Sequence, residues 1–247
     1  MTAAGGADSA TAMLDQLFSR NDLRIALHGI HDAVRPERVI GYEALMRGPR
    51  GSPYESPPMA FAMAATLDLL ERLDCRCIEL ASNVACDGLL FLNVHPRTIM
   101  TSDAFWGAVG TFVREPQYIV FEVVEHSPAR QDDLLRALIE LRSLGFRIAV
   151  DDLGEGSAGL RRLVEFAPDF AKIDRFFIDG IDRDRKRRAV VKGLVDMSAE
   201  LSTRIIAEGV EREEERAVLV DLGVTLLQGW LFGKPHEVLG PLLRNAS

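Results

Sequence analysis

The sequence predicts an α/β fold, a modified TIM-like (β/α)8 barrel with an antiparallel first strand. Three observations predict it. The chain has 247 residues, close to the roughly 250 of a single barrel. Short apolar, β-branched runs alternate with stretches at helical spacing, which implies a mainly parallel sheet. Seven sites close or follow those runs: Glu43, Asn93, Glu122, the pair Asp151–Asp152, Lys172, Glu208 and Gln228. The C-terminal ends of parallel strands converge on one mouth, where barrels of this kind carry their chemistry.

Eight strands are expected, near Leu23–His31, Val39–Leu45, Leu89–Val94, Tyr118–Val124, Arg147–Asp151, Phe170–Ile173, Arg204–Glu208 and Thr225–Gln228. The first runs into HDAVRPERVIGYE, a short connection without G-x-G-x-x-G. That argues against an open doubly wound sheet, which carries a glycine-rich loop there. It argues for a hairpin, and so for one antiparallel strand. A helix is expected over Pro58–Ser82, with Phe61, Leu67, Leu70 and Leu73 at roughly helical spacing. Ser102 is placed to cap DAFWGAVGTFV, where Phe105, Val109, Phe112 and Val113 share a face. Further helices are expected over Leu134–Leu144, Gly159–Phe166, Asp184–Leu201 and Arg212–Leu222. Gly145 and Gly223 stand just past two of them, where a left-handed residue ends a helix. Residues 1–20 read as a flexible tail and 21–247 as one barrel domain.

Hydrophobic residues make up 47% of the chain, enough for a sizeable core. A net charge of -8 makes it a poor binder of nucleic acid polymers, which need clustered Lys and Arg. A small phosphorylated ligand remains compatible where metal ions supply positive charge. The basic run Arg183–Arg188 opens an amphipathic helix and reads as a solvated face. Three cysteines, Cys75, Cys77 and Cys86, form no disulfide framework and read as reduced thiols of a cytoplasmic protein. No apolar run approaches the roughly 18 residues of a membrane span, and MTAAGGADSA lacks the features of a signal peptide.

Hard divalent cations prefer oxygen ligands. Glu43, Asn93, Glu122 and Asp151 offer three carboxylates and an amide, enough for one ion. Asp152 adds a carboxylate, and either Asp can bridge two ions. Neighbouring strand residues point to opposite faces, but a turn at the strand end would bring both to the mouth. Lys172 can hold a hydroxide or stabilise charge on phosphorus. Glu208 can accept a proton. Taken singly, each is an ordinary turn, cap or surface residue. Together, like charges facing one mouth repel unless a cation holds them. His95 and His126 read as loop residues near the mouth rather than ligands.

These residues carry a resemblance. GYEALMR, FLN, FEVVE, VDDLGEG, KID, AEGVE and QGWLFGKP occur in the order and at the spacing of the EAL-domain cyclic di-GMP phosphodiesterase family, from about Leu23 to Pro235. The resemblance implies a barrel that hydrolyses cyclic di-GMP to linear pGpG with two Mg²⁺ or Mn²⁺ ions. It implies Glu43, Asn93, Glu122 and Asp151 as ligands of the first ion, with Asp151 and Asp152 on the second. Lys172 and Glu208 would position the attacking water, with Gln228 supporting the site. Arg47 resembles the arginine that binds a substrate phosphate. Glu125 resembles the anchor of the loop Asp152–Leu160, which shapes the metal site and helps pair two barrels as a homodimer. His28, in His28-Gly29-Ile30, stands where the family often has Gln-Pro-Ile and falls on the substrate side. The loop reads DLGEGSAGL where the family typically has DFGTGYSSL, and Gly48 replaces a Trp after Arg47. The alternative implied by these departures is a weak or inactive module that binds cyclic di-GMP, or a regulatory protein partner, as a receptor.

Overall fold

The computed structural model describes residues 22–112, 115–124, 131–154 and 158–238, apart from the side chains of Gln131, Asp152 and Ala158. The expected tail, Glu125, His126 and Glu155 lie outside the described residues. Strands β1 (Arg24–Asp32), β2 (Val39–Arg47), β3 (Leu89–Val94), β4 (Ile119–Val123), β5 (Arg147–Leu153), β6 (Phe170–Ile173), β7 (Arg204–Ala207) and β8 (Leu226–Leu227) form the barrel, and β9 (His236–Glu237) adds to β1. Strands β2 to β8 pair in parallel in chain order. β1 closes the barrel by pairing antiparallel with both β2 and β8. The antiparallel first strand and the closed (β/α)8 layout are therefore as the sequence predicts. β9 is two residues long, too short for alternation to reveal.

Helices fill the crossovers: α1 (Pro57–Thr66), α2 (Leu70–Ala81), α3 (Pro96–Thr101), α4 (Asp103–Val109), α5 (Gln131–Ser143), α6 (Ala158–Phe166), α7 (Arg175–Ile178), α8 (Arg185–Glu200) and α9 (Glu213–Asp221). The Ser102 hydroxyl accepts from the Phe105 N–H at 3.0 Å, the cap the sequence suggests. Gly145 and Gly223 have φ of 93° and 92° and end α5 and α9 in the left-handed region. Asp184 caps α8 by accepting from Lys186 and Arg187 N–H groups. Of the basic run, Arg185 and Lys186 are exposed, while Arg188 bonds to the carbonyls of Ile181 and Asp182.

One expected helix is two. The stretch Pro58–Ser82 breaks between α1 and α2, where Asp68 takes a φ of 57°. Asp tolerates this region better than most residues because its short side chain bonds locally. The apolar spacing runs through the break, so periodicity alone hides it. The break turns α2 so that it reaches the main core while Leu73 stays in the cluster of α1. α1 buries Ala60 and Ala64 against Met46 and Tyr54, while α2 buries Cys75 and Ile78 in the main core.

The two-residue strand period divides the core into an outer and an inner layer. Leu90, Leu92, Phe121, Val123, Ile148, Val150, Ala171, Ile173 and Ile205 point outward and pack under the helices. Ile30, Leu89, Phe91, Val120, Ala149, Phe170, Ile206 and Leu226 fill the barrel itself. Phe91 and Phe170 meet there with centroids 5.1 Å apart. This plug makes the barrel a filled core rather than a pore, and it forms the floor of the mouth.

Candidate active site

Six inward strand residues of the plug are each followed, two positions on, by a polar residue. Phe91 leads to Asn93, Val120 to Glu122, Ala149 to Asp151, Phe170 to Lys172, Ile206 to Glu208 and Leu226 to Gln228. The same period that sends the apolar side chains inward thus sends these six to one level above them. Glu43 and His28 join from β2 and β1, where they are register partners. Seven of the residues read from the sequence as a site, Glu43, Asn93, Glu122, Asp151, Lys172, Glu208 and Gln228, are thus brought to one mouth together with His28.

At the centre lies Lys172, 1% exposed. Its ammonium stands 2.8 Å from Glu122 Oε1, 3.3 Å from Glu43 Oε2 and 2.5 Å from Glu208 Oε1. Glu43 also accepts from Asn93 Nδ2 at 2.8 Å and from Gln228 Nε2 at 3.0 Å. Lys172 is thus no surface residue, and the nearby Asp174 carboxylate caps α7 at the Phe176 N–H instead. Asn93 does not cap α3 but binds Glu43.

Three carboxyl groups pair with this one ammonium, Glu43, Glu122 and Glu208, and the charge of Asp151 acts on it from nearby. Burial pushes Glu122 well above the usual carboxylate range, with the charge of Asp151 adding to the effect against the pull of Lys172. Burial likewise raises Glu208 to about 8. Glu43 is held below its ordinary value, because Lys172 and the bonds from Asn93 and Gln228 outweigh its burial. Lys172 is raised well above its ordinary value by Glu122, Glu208 and Glu43, despite burial. Two buried atoms here have no hydrogen-bond partner: Glu122 Oε2 and His28 Nε2. Burial lowers the His28 imidazole, so its neutral form is favoured.

Among the described residues, no three acidic, histidine or cysteine side chains stand together as a preformed cation cage. The carboxylates gather on Lys172 instead. The donor set nonetheless fits hard cations: oxygen ligands only, an excess of negative charge, and a buried carboxylate oxygen lacking a partner.

The pair Asp151–Asp152 is reached by a different device from the one the sequence suggests. Val150 pairs with Ala171 but Leu153 pairs with Ile173, so β5 carries one extra residue across Asp151–Asp152. This is a β-bulge inside the strand, not a turn at its end. A bulge breaks strict alternation and re-aims consecutive side chains, and bulges recur beside active sites.

A cavity of about 430 Å³ opens beside Glu43, Asn93 and Asp151. Its walls are Met46, Pro57, Pro58, Phe61, Cys77 and His95. His95, read from the sequence as a loop residue, lies at the entry to α3 with Nδ1 3.0 Å from the Asp74 carboxylate. Asp74 is 1% exposed and also accepts from Thr98 Oγ1 at 2.5 Å. Sequence reasoning missed this cluster. Its signal was an acid next to Leu73 and Cys75 on the buried stripe of a helix. Arg47 ends β2 half-buried, with Nη1 donating to the Met46 carbonyl at 2.8 Å, apart from the Lys172 cluster.

Comparison with known proteins agrees with this geometry. The EAL domain family model matches residues 11–235. PdeA, a probable cyclic di-GMP phosphodiesterase of Escherichia coli K12, is 30% identical over 218 residues, covering 83% of this chain and 30% of that protein. RocR, a cyclic di-GMP phosphodiesterase of Pseudomonas aeruginosa, is 32% identical over 153 residues, covering 59% of this chain and 38% of that one. The chain thus spans about a third of the length of these curated relatives. Among solved structures, the EAL enzyme Bd1971 with cAMP and cyclic di-GMP bound superposes with a TM-score of 0.85 at 26% identity, over 96% of this chain and 68% of that one. BlrP1 of Klebsiella pneumoniae, in complex with calcium and cyclic di-GMP, gives 0.79 at 30% identity, over 89% and 57%. With its motifs, its barrel and nearly its whole length matched, this chain belongs to the EAL-domain family.

Proposed function

We propose that the chain is a phosphodiesterase that hydrolyses cyclic di-GMP to linear pGpG with Mg²⁺ or Mn²⁺. One observation carries the reading: Glu43, Asn93, Glu122, Asp151, Lys172, Glu208 and Gln228 meet on one inner level, with three carboxyl groups on one ammonium and the charge of Asp151 beside them. Relatives named for this activity support it, as does the manganese and cyclic di-GMP complex of BlrP1.

Glu43, Asn93, Glu122 and Asp151 would hold one cation and Asp151 with Asp152 a second. Two such ions, when bound, supply Lewis acidity to the phosphoryl oxygen and lower the pKa of water. The remaining work falls to the chain. The Lys172 ammonium, fixed by carboxylates, is preorganised to stabilise negative charge growing on phosphorus or on the attacking water. Glu208 beside it takes the proton from that water. With its carboxyl raised to about 8, Glu208 is protonated at neutral pH in the metal-free chain and is a poor base. That is a physical reason for metal dependence. Arg47 binds a substrate phosphate. Gln228 fixes Glu43, and His28 offers a buried nitrogen to the substrate side. Pairing of two chains, a regulatory protein partner and a cytoplasmic setting belong to the same proposal. Among the described residues no helix is long and apolar enough to cross a membrane.

The test is incubation of the purified chain with cyclic di-GMP and Mg²⁺ or Mn²⁺, followed by chromatography of the nucleotides. Metal-dependent pGpG, absent with EDTA and in Glu43→Ala, is the expected result. Binding without any product would overturn the enzyme reading and leave a receptor.

A further inference from the structure

β9 is an addition to the eight-stranded barrel, and it follows Pro235, the last residue of the family match. It pairs with β1 through Ala26–Glu237 and Leu27–His236, and the Val238 N–H donates to the Ile25 carbonyl at 3.1 Å. Close by, Arg24 of β1 and Arg47 of β2 are direct register partners. Like charges directly opposite on paired strands repel. Glu237 engages one of the two. Arg24 Nη1 donates to Glu237 Oε1 at 2.5 Å, while Arg24 Nη2 donates to the Gly48 carbonyl at 2.6 Å. The other carboxylate oxygen accepts from Arg50 Nη2 at 2.8 Å.

Gly48 directly follows Arg47, so this fork grips the backbone next to the proposed phosphate ligand. The loop beyond is folded on itself. Gly48 N–H donates to the Glu55 carbonyl at 3.2 Å, and Gly51 N–H to the Glu55 carboxylate at 2.8 Å. A Cβ on Gly48 would stand 2.0 Å from the Tyr54 carbonyl oxygen, so only glycine permits the approach.

We propose that Glu237 is a positioning residue: by holding Arg24 and Arg50 it anchors the Gly48–Glu55 loop and aims Arg47 at a substrate phosphate. The proposal rests on the functional reading above. Without the Glu237 charge, Arg24 keeps only the Gly48 carbonyl and the Glu55 carboxylate 4.0 Å away, its repulsion of Arg47 grows, and the loop loses its tie to β9.

The experiment compares wild type, Glu237→Gln, Arg47→Ala and the double variant in steady-state hydrolysis of cyclic di-GMP, with amide hydrogen exchange of the loop in parallel. In Glu237→Gln, KM rises about tenfold while kcat stays within about twofold, the pattern of lost ground-state binding. In the Arg47→Ala background the same substitution changes KM no further, because both act through one group. Exchange at Gly48 and Gly51 accelerates in Glu237→Gln. Should that variant not fold, Arg24→Lys makes the same test, since it keeps the charge and loses the fork to Gly48. Unchanged exchange, or an equal rise in KM with and without Arg47, overturns the proposal. A wild-type chain that neither binds nor hydrolyses cyclic di-GMP sinks the functional reading instead, and loop exchange still decides whether Glu237 is the anchor.

Discussion

Lys172 is the residue on which the site depends most. An ammonium 1% exposed costs free energy unless it is paired. Here it is paired three times, and its single positive charge is shared among Glu43, Glu122 and Glu208. Replacing it leaves buried carboxylates without a counter-charge, which typically costs about 3–5 kcal/mol. Lys172→Met is therefore expected to lose stability of that order in urea unfolding without metal, and to lose hydrolysis as well. Glu208 makes a second prediction. Its folded carboxyl is raised to about 8 from the ordinary 4.5, so its contribution is fully present at low pH and is lost as pH rises through 8. In EDTA, the melting temperature of the wild type should fall between pH 5 and pH 8, and Glu208→Gln should flatten that fall. A slope that is the same in both proteins would rule out Glu208 as its source.

At the scale of elements, two local devices set the geometry. Ser102 joins α3 to α4 without a loop: it ends one helix and caps the next. Its hydroxyl satisfies the Phe105 N–H in a fully buried setting. Ser102→Ala should cost about 1 kcal/mol, the usual value of such a cap, with hydrolysis unaffected. Chemical denaturation and turnover measured together check both halves. The β5 bulge is the other device. Strands and caps were legible because alternation and Ser-x-x spacing are local signals. The bulge was not, because an extra residue shows only against the partner strand β6. The break at Asp68 was hidden for the opposite reason: the apolar spacing continues across it, and only the left-handed Asp68 and the turn of α2 into the main core separate α1 from α2.

For the molecule as a whole, the barrel brings like charges together from strands far apart in sequence: Glu43, Glu122 and Glu208 all reach the Lys172 ammonium. Folding assembles that negative mouth, so cations that bind it will stabilise the fold. Mn²⁺ at a hundred times its dissociation constant should raise the melting temperature by roughly 5–10 °C for a domain of this size. Asp151→Asn should weaken that shift. An equal shift in the variant would show that the ion binds elsewhere. Glu237 belongs to this scale too, since it ties the last strand to the first strand and to the loop after the second.

The sequence by itself determined the barrel, its antiparallel first strand, and the polar residue that ends each inward-facing strand. These follow from periods of two and of about 3.6, which the chain carries locally. Only the tertiary structure decided that Lys172 is the centre of the cluster, that Asp74 orients His95 at the cavity, that β5 bulges at its acidic pair, and that Glu237 reaches Arg24 and Arg50. Each of these depends on which side chains meet across the closed sheet, and closure is a property of all the strands at once.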